Sequence, residues 1–249
     1  PARDGLNGQL LKTNGAGVLT WSNDNSSGGS GANTSLSNLS ATAVNQSLLP
    51  STDNTIDLGS SSKRWRNIYL GNSLYLKGSI ALHSAGTENF FVGNGAGNTS
   101  LTGSVNTGVG QVALTQLTSG SYNTASGYAS LSLNTTGSYN TASGYASLIF
   151  NTAGSYNTAN GSSALYSNAG GYSNTANGYS ALQANTNGGD NTATGVNAMY
   201  SNTTGSYNSS YGRFSMFSNT TGSSNIAAGA NALYSNTTGY SNIAIGAGS

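Results

Sequence analysis

NTASGYASLSLNTTGSY (residues 123–139) is followed directly by NTASGYASLIFNTAGSY (residues 140–156), and this near-copy decides the fold. The same unit recurs every 17 residues from Asn89 to the end of the chain, giving ten copies without an insertion or deletion. A fixed period of this kind is typical of solenoids, in which each repeat forms one coil stacked on the last. We therefore predict an all-β fold in which residues 89–249 form a parallel β-solenoid, or β-roll, of 17-residue coils.

A few positions of the coil are almost invariant when they are counted from the Asn as position 0. Position 4 is Gly in all ten copies, and position 8 is Leu or Met in eight of nine. A corner in every coil needs positive φ or a missing Cβ, so we predict that the position-4 glycines are corner residues. They are Gly93, Gly110, Gly127, Gly144, Gly161, Gly178, Gly195, Gly212, Gly229 and Gly246.

Each coil is predicted to contain two short strands, separated by the position-4 Gly and closed by an Asn-Thr-Thr-Gly turn such as residues 134–137. Successive coils would stack in parallel and in register, with ~4.8 Å between neighbouring strands. Stacked Asn side chains can pair in ladders. The candidate ladder comprises Asn106, Asn123, Asn140, Asn157, Asn174, Asn191, Asn208, Asn225 and Asn242.

Small residues form two further stripes along the array. Position 2 is Ala, Gly or Ser in nine of ten copies, and position 7 is Ala or Ser in all nine complete copies. Ordering a residue costs ~1–2 kcal/mol, whereas one buried Leu per coil returns only ~2–3 kcal/mol. A single coil is therefore marginal, and we expect the small-residue stripes to let chains pack closely in an intertwined or side-by-side oligomer.

The part of the chain before the array has a different composition. Eleven of the 13 charged residues lie before position 89. Residues 1–31 contain two apolar runs around a Gly-rich turn and are predicted to form a β-rich segment, and residues 32–50 read as a Ser/Thr/Asn-rich linker. Residues 51–88 are predicted to be a β-strand shaft, because apolar residues alternate at Trp65, Ile68, Leu70, Leu74 and Leu76.

Composition excludes several classes of partner. A net charge of +1 provides no basic patch for a nucleic acid or an anionic membrane. No apolar run approaches the ~20 residues that span a bilayer, so we expect no membrane insertion. The absence of Cys excludes disulfides and thiolate metal sites. We expect neither a metal nor a cofactor.

Three stretches resemble known families. SNIAIGAGS (residues 241–249) resembles the head repeat of trimeric autotransporter adhesins, in which three chains each form a left-handed parallel β-roll, although that unit is shorter than 17 residues. Residues 120–131 are similar to repeats of phage tail fibres and related surface proteins. Residues 57–70 resemble a segment found upstream of such repeats in tail fibres. The resemblance implies a homotrimeric fibre located outside the cell, on a virion or a cell surface.

Fibres of this type often carry a C-terminal intramolecular chaperone of the endosialidase type, which trimerises the chains and then cleaves itself off. The array reaches Ser249 only seven residues after Asn242, the start of its tenth copy. We expect the gene product to continue beyond Ser249, and residues 1–249 to aggregate when expressed without that domain, because it would fix the register of near-identical repeats.

Catalytic candidates are few. His83 has only Glu88 as a nearby carboxylate and is predicted to be a surface residue in a turn, and Asp190 and Arg213 are the only charges in the array. Residues 93–97 superficially resemble a phosphate-binding loop but lack a following Lys. An enzyme needs titratable or nucleophilic groups placed together, so we predict that the protein is not an enzyme.

Tyr side chains are the remaining functional candidates. Tyr122, Tyr139, Tyr156 and Tyr207 directly precede the position-0 Asn and would form columns of rings in stacked coils. We expect such rings to stack and stabilise the fibre or the trimer interface. The alternative is that they contact a glycan. Ice binding by Thr arrays is the third class, but Thr pairs such as Thr135–Thr136 are predicted to lie in turns rather than on a flat face of strands.

We therefore expect a non-enzymatic structural fibre, a homotrimeric extracellular appendage that supports attachment. The alternative is an adhesin whose repeat surface itself binds a host glycan or protein.

Overall fold

The structure, a computed structural model, describes residues 9–13, 16, 19–23, 73–76 and 79–249. The chain divides into two compact units, residues 1–67 and residues 68–249. The predicted linker at residues 32–50 and the shaft positions Trp65, Ile68 and Leu70 lie outside the described residues.

In the first unit, strands β1 (Gln9–Thr13) and β2 (Leu19–Asn23) pair antiparallel. Leu11 lies opposite Trp21 in this pair. The two strands coincide with the two apolar runs that the sequence places on either side of a Gly-rich turn, which supports a β-rich N-terminal segment.

The second unit is built around one sheet of 12 strands. β3 (Ser73–Leu76) and β4 (Ser79–His83) pair antiparallel, and β4 pairs antiparallel with β5. From β5 onward, all neighbours are parallel and 17 residues apart. These strands are β5 (Phe90–Val92), β6 (Thr107–Val109), β7 (Thr124–Ser126), β8 (Thr141–Ser143), β9 (Thr158–Asn160), β10 (Thr175–Asn177), β11 (Thr192–Thr194), β12 (Ser209–Tyr211), β13 (Ile226–Ala228) and β14 (Ile243–Ile245). The described residues contain no helix, and the predicted parallel β-solenoid is confirmed.

Each strand occupies positions 1 to 3 of its coil and stacks in register on the next. In β7 and β8, Thr124 lies opposite Thr141, Ala125 opposite Ala142, and Ser126 opposite Ser143. Because side chains alternate along a strand, the middle residue points into the coil and its two neighbours point outward. Ala125 and Ala142 are accordingly fully buried, whereas the residues on either side of each are exposed.

The prediction of a second strand in each coil is wrong. Positions 6 and 8 adopt left-handed backbone conformations, with φ of 54° at Ala129 and 51° at Leu131. Their N–H groups nevertheless donate to opposite neighbouring coils. Ala129 donates to the Gln111 carbonyl of the preceding coil, and Leu131 donates to the Ser147 carbonyl of the following coil, both at 3.0 Å. This half of the coil is cross-linked to both neighbours without forming a strand.

The small-residue stripes are internal, which corrects the expectation that they mediate contact between chains. Ala142 at position 2, Ser147 at position 7 and Leu148 at position 8 are all fully buried within a single chain. The small residues at positions 2 and 7 thus share the coil interior with the Leu or Met at position 8. The same arrangement recurs along the array and forms one continuous apolar core.

The β3–β4 hairpin extends the sheet antiparallel from its N-terminal parallel strand, and His83 at the end of β4 is buried. Its ring lies 5.1 Å from that of Phe91, and its Nε2 is 2.7 Å from the Ala96 carbonyl oxygen. The prediction of His83 as a surface residue is therefore wrong, because the imidazole packs on the aromatic residue that fills the first coil.

Candidate functional surfaces

The ten position-4 glycines lie at the bend that follows each strand, with φ between +124° and +145°. L residues rarely adopt this region. The neighbouring coil also excludes a side chain there. A Cβ on Gly144 would lie 2.7 Å from the carbonyl carbon and 2.8 Å from the carbonyl oxygen of Gly161.

The nine predicted ladder asparagines form a continuous hydrogen-bonded column in the coil interior. Asn140 shows the pattern: its backbone N–H donates to Asn123 Oδ1 (3.0 Å), and its Nδ2 donates to Asn123 Oδ1 (3.1 Å) and to Gly154 O (2.8 Å). Its own Oδ1 accepts from the backbone N–H and Nδ2 of Asn157. Each ladder side chain thus forms hydrogen bonds with buried backbone groups and with the Asn side chains of the neighbouring coils. The ladder begins one coil before the predicted set, because Asn89 Oδ1 accepts from Asn106.

A second Asn ladder, which sequence reasoning missed, runs along position 11. In it Asn151 Nδ2 donates to Asn134 Oδ1 (2.9 Å), and Asn134 Nδ2 donates to Gly137 O (2.9 Å). Gly137 O also accepts from Asn123, so the two ladders meet at the position-14 carbonyl. The recurrence of Asn at position 11 in seven consecutive coils could have indicated this ladder. The sequence alone, however, explains the same Asn residues equally well as the first residue of a turn. The members are Asn134, Asn151, Asn168, Asn185, Asn202, Asn219 and Asn236.

Three of the four predicted tyrosines form a stacked column on the surface. The ring centroids of Tyr122 and Tyr139 are 4.8 Å apart, and those of Tyr139 and Tyr156 are 4.9 Å apart, with the planes within 5° of parallel. The faces of these rings therefore contact one another, and their edges and hydroxyl groups face solvent. Tyr207 stands apart in the same column, because Asp190 and Ser224 occupy the adjacent coils.

Threonines lie in two different environments. The hydroxyl groups of turn residues such as Thr135 donate to the next coil, at 2.9 Å to Thr152 O. A separate column, overlooked in the sequence, occupies position 1 of the strands, and the hydroxyl groups of its members have no hydrogen-bond partner in the protein. It comprises Thr107, Thr124, Thr141, Thr158, Thr175 and Thr192. The Thr pairs therefore lie in turns, as predicted, and a second column of Thr lies on the strands.

We name the outward surface of positions 1 and 3 the strand face. It carries no charged residue from β5 to β14. Large apolar side chains are exposed toward its two ends, namely Phe90, Val109, Ile226, Ile243 and Ile245. Thr, Ser and Asn occupy most of the positions between them, so the strand face is uncharged, polar along its middle and apolar at its ends.

Ionisable groups are sparse on the surfaces of the array. Asp190 and Arg213 remain its only charged side chains. Within the described ranges, no group of three or more His, Cys, Asp or Glu residues could hold a metal ion. The same part of the chain contains no helix of the length and apolarity that crossing a membrane requires.

In comparisons with known proteins, no family model, no curated protein and no solved structure matches this chain.

Proposed function

We propose that the protein is a non-enzymatic structural fibre, a segment of an extracellular appendage on a virion or cell surface that supports attachment. The observation that carries the proposal is the unbroken column of ten parallel strands from Phe90 to Ile245, cross-linked by two Asn ladders. At ~4.8 Å per coil, the column forms a rod on the order of 45 Å long. A stiff, nearly uncharged rod is suited to holding a binding tip at a distance.

We further propose that three copies pack side by side through the strand face. The internal position of the small-residue stripes means that another surface must make the contact between chains. The strand face offers exposed aliphatic side chains toward its ends, with Ile226 43% and Ile243 71% exposed, and no charge to desolvate.

A charge placed in the middle of the strand face tests this packing. Thr158→Glu puts a carboxylate on the face, whereas Thr136→Glu puts the same charge on an exposed turn in the same array. We expect T158E to reduce the molecular mass in solution to that of fewer chains and T136E to leave it unchanged. Equal masses for both variants and the parent protein would contradict packing through the strand face.

The second candidate function is an adhesin whose repeat surface binds a host glycan or protein. Exposed aromatic side chains favour it, since Tyr145, Tyr156 and Tyr207 are each about 60% exposed. Stacking of a sugar on Tyr139 is disfavoured, however, because both faces of that ring contact neighbouring tyrosines. Binding of the intact rod to a glycan array would support this function, and binding confined to protein that carries a separate tip would argue against it.

A further inference from the structure

The single anion and the single cation of the array have no ionic partner within the chain. Asp190, at position 16, and Arg213, at position 5, are the only charged residues after position 89. Within the described part of the chain, neither side chain forms an ion pair or a hydrogen bond. Asp190 is partly buried and Arg213 is exposed, so both charged groups are accessible to another molecule.

Asp190 and Arg213 lie at opposite borders of the strand face. Asp190 comes two residues before strand β11, and Arg213 comes two residues after strand β12. These two strands are parallel neighbours, with Thr192 opposite Ser209. We name the position-16 side of the strand face the leading border and the position-5 side the trailing border. The two charges therefore lie on different borders and differ in height along the rod by about one coil, ~4.8 Å.

The guanidinium of Arg213 is held in a way that leaves its hydrogen-bonding edges free. Its central carbon lies 4.4 Å from the centroid of the Phe214 ring. Stacking covers one face of the guanidinium, while its N–H edges match the two oxygens of a carboxylate. Val196 and Ala230 occupy the same border in the adjacent coils, so no other charge lies next to Arg213 in its column.

Parallel copies that meet through the strand face bring unlike borders together; this step rests on the proposed packing of three copies. When three parallel rods turn the same face toward a common axis, the leading border of each lies beside the trailing border of the next. Rotation about that axis leaves height unchanged, so Asp190 of one copy and Arg213 of the next differ in height by one coil. A long Arg side chain can span this difference. Antiparallel rods would instead bring like borders together.

We infer that Asp190 of each copy forms an ion pair with Arg213 of the next copy, giving three pairs around the trimer. Complementary charges at an interface fix register and orientation more than they add affinity. In this array the coils are nearly interchangeable, so packing alone would not determine which coil of one copy lies beside which coil of the next. The ion pair selects the parallel, in-register arrangement.

Paired cysteines test the contact, because the chain has no Cys of its own. The test variant is Asp190→Cys/Arg213→Cys. Its control is Asp190→Cys/Thr221→Cys, since Thr221 lies exposed in a turn of the same coil as Arg213. After treatment with a short bis-maleimide, denaturing electrophoresis should show products of two and three chains for the test variant and single chains for the control. Single chains for both, or equal cross-linking of both, would overturn the inference.

Charge reversal tests whether the contact is an ion pair. Asp190→Arg and Arg213→Asp each place like charges across the border, and we expect each to lower the midpoint of thermal unfolding by at least about 3 °C. The double variant D190R/R213D restores opposite charges and should recover more than half of the summed loss. Additive losses in the double variant would overturn the ion pair.

Light scattering of the parent protein separates this inference from the proposal on which it rests. A mass of three chains without cross-linking of the test variant would refute the ion pair and leave the trimer standing. A mass of one chain would refute the trimer, and the ion pair with it. A mass of three chains together with cross-linking confined to the test variant is the expected result.

Discussion

The ring of Phe91 occupies the space that a side chain at Gly97 would need, because a Cβ added to Gly97 would overlap Phe91 Cγ. Position 2 is otherwise Ala, Gly or Ser, and position 8 otherwise Leu or Met. In the first coil, the large core side chain thus comes from position 2 on the strand, whereas in the other coils it comes from position 8 on the opposite side of the core. Core volume is conserved although neither residue follows the repeat.

This compensation predicts a strong coupling between the two positions. Phe91→Ala should destabilise the protein by about 3–5 kcal/mol through the cavity it leaves, and Gly97→Leu should destabilise it by overpacking. The double variant recreates the Ala and Leu of the other coils and should recover most of both losses. Denaturant unfolding of the three variants measures the coupling, and simple additivity of the two losses would contradict the packing scheme.

Two alanines in one coil should respond oppositely to glycine. Ala146 is buried at φ 52°, whereas Ala142 is buried in strand β8. A left-handed non-Gly residue is strained by ~1–2 kcal/mol, so Ala146→Gly relieves strain that offsets its entropy cost. We expect A146G to be near neutral or stabilising and A142G to cost about 1–2 kcal/mol. Similar losses in denaturant unfolding would show that the left-handed positions are not strained.

The corner at Gly144 should reject a β-branched residue. Gly144→Val would force a side chain against the Gly161 carbonyl at a φ of +131°, and we expect a loss of several kcal/mol. Ser143→Ala, one residue earlier on the exposed strand face, should change stability by less than about 0.5 kcal/mol. Thermal unfolding of the pair measures this difference, and comparable losses would exclude a close approach of backbones at the corner.

The ladder predicts a large difference between two Asn→Ala substitutions. Asn140→Ala removes four side-chain hydrogen bonds and leaves buried groups of Asn123, Gly154 and Asn157 without those partners. At ~1–3 kcal/mol for an unsatisfied buried group, we expect a loss of about 3–5 kcal/mol. Asn187→Ala is the matched control, since Asn187 is exposed at position 13, where another coil carries Ala153. A loss below about 1 kcal/mol for N140A would mean that the ladder does not stabilise the fold.

The period and the parallel stacking were predictable because both follow from exact recurrence of residue types. The left-handed residues were not, since Ala, Ser, Leu, Met and Tyr occupy sites where Gly or Asn is the usual signal. Hydrogen bonds to both neighbouring coils impose that conformation, and no single repeat reveals them. Alternation likewise could not show that Ala142 faces its own coil rather than another chain, because a small residue suits either environment.

The strand-face column of Thr illustrates a different difficulty. Thr124 and Thr141 recur as regularly as the turn residues Thr135 and Thr152, except that Ala169 interrupts the latter column. Only the structure separates hydroxyl groups that bond the next coil from those that face outward. Whether the outward column meets solvent or other copies of the chain depends on the oligomeric state.

The molecular mass of the purified, folded protein in solution tests the central proposal of a trimeric fibre most directly. Multi-angle light scattering should give three times the 24.9 kDa of one chain, because the strand face is covered only when copies pack together. A well-folded species of one chain mass would contradict the proposal. In such a monomer the Thr column of the strand face would be exposed to water. Measurement of thermal hysteresis would then decide whether the strand face binds ice.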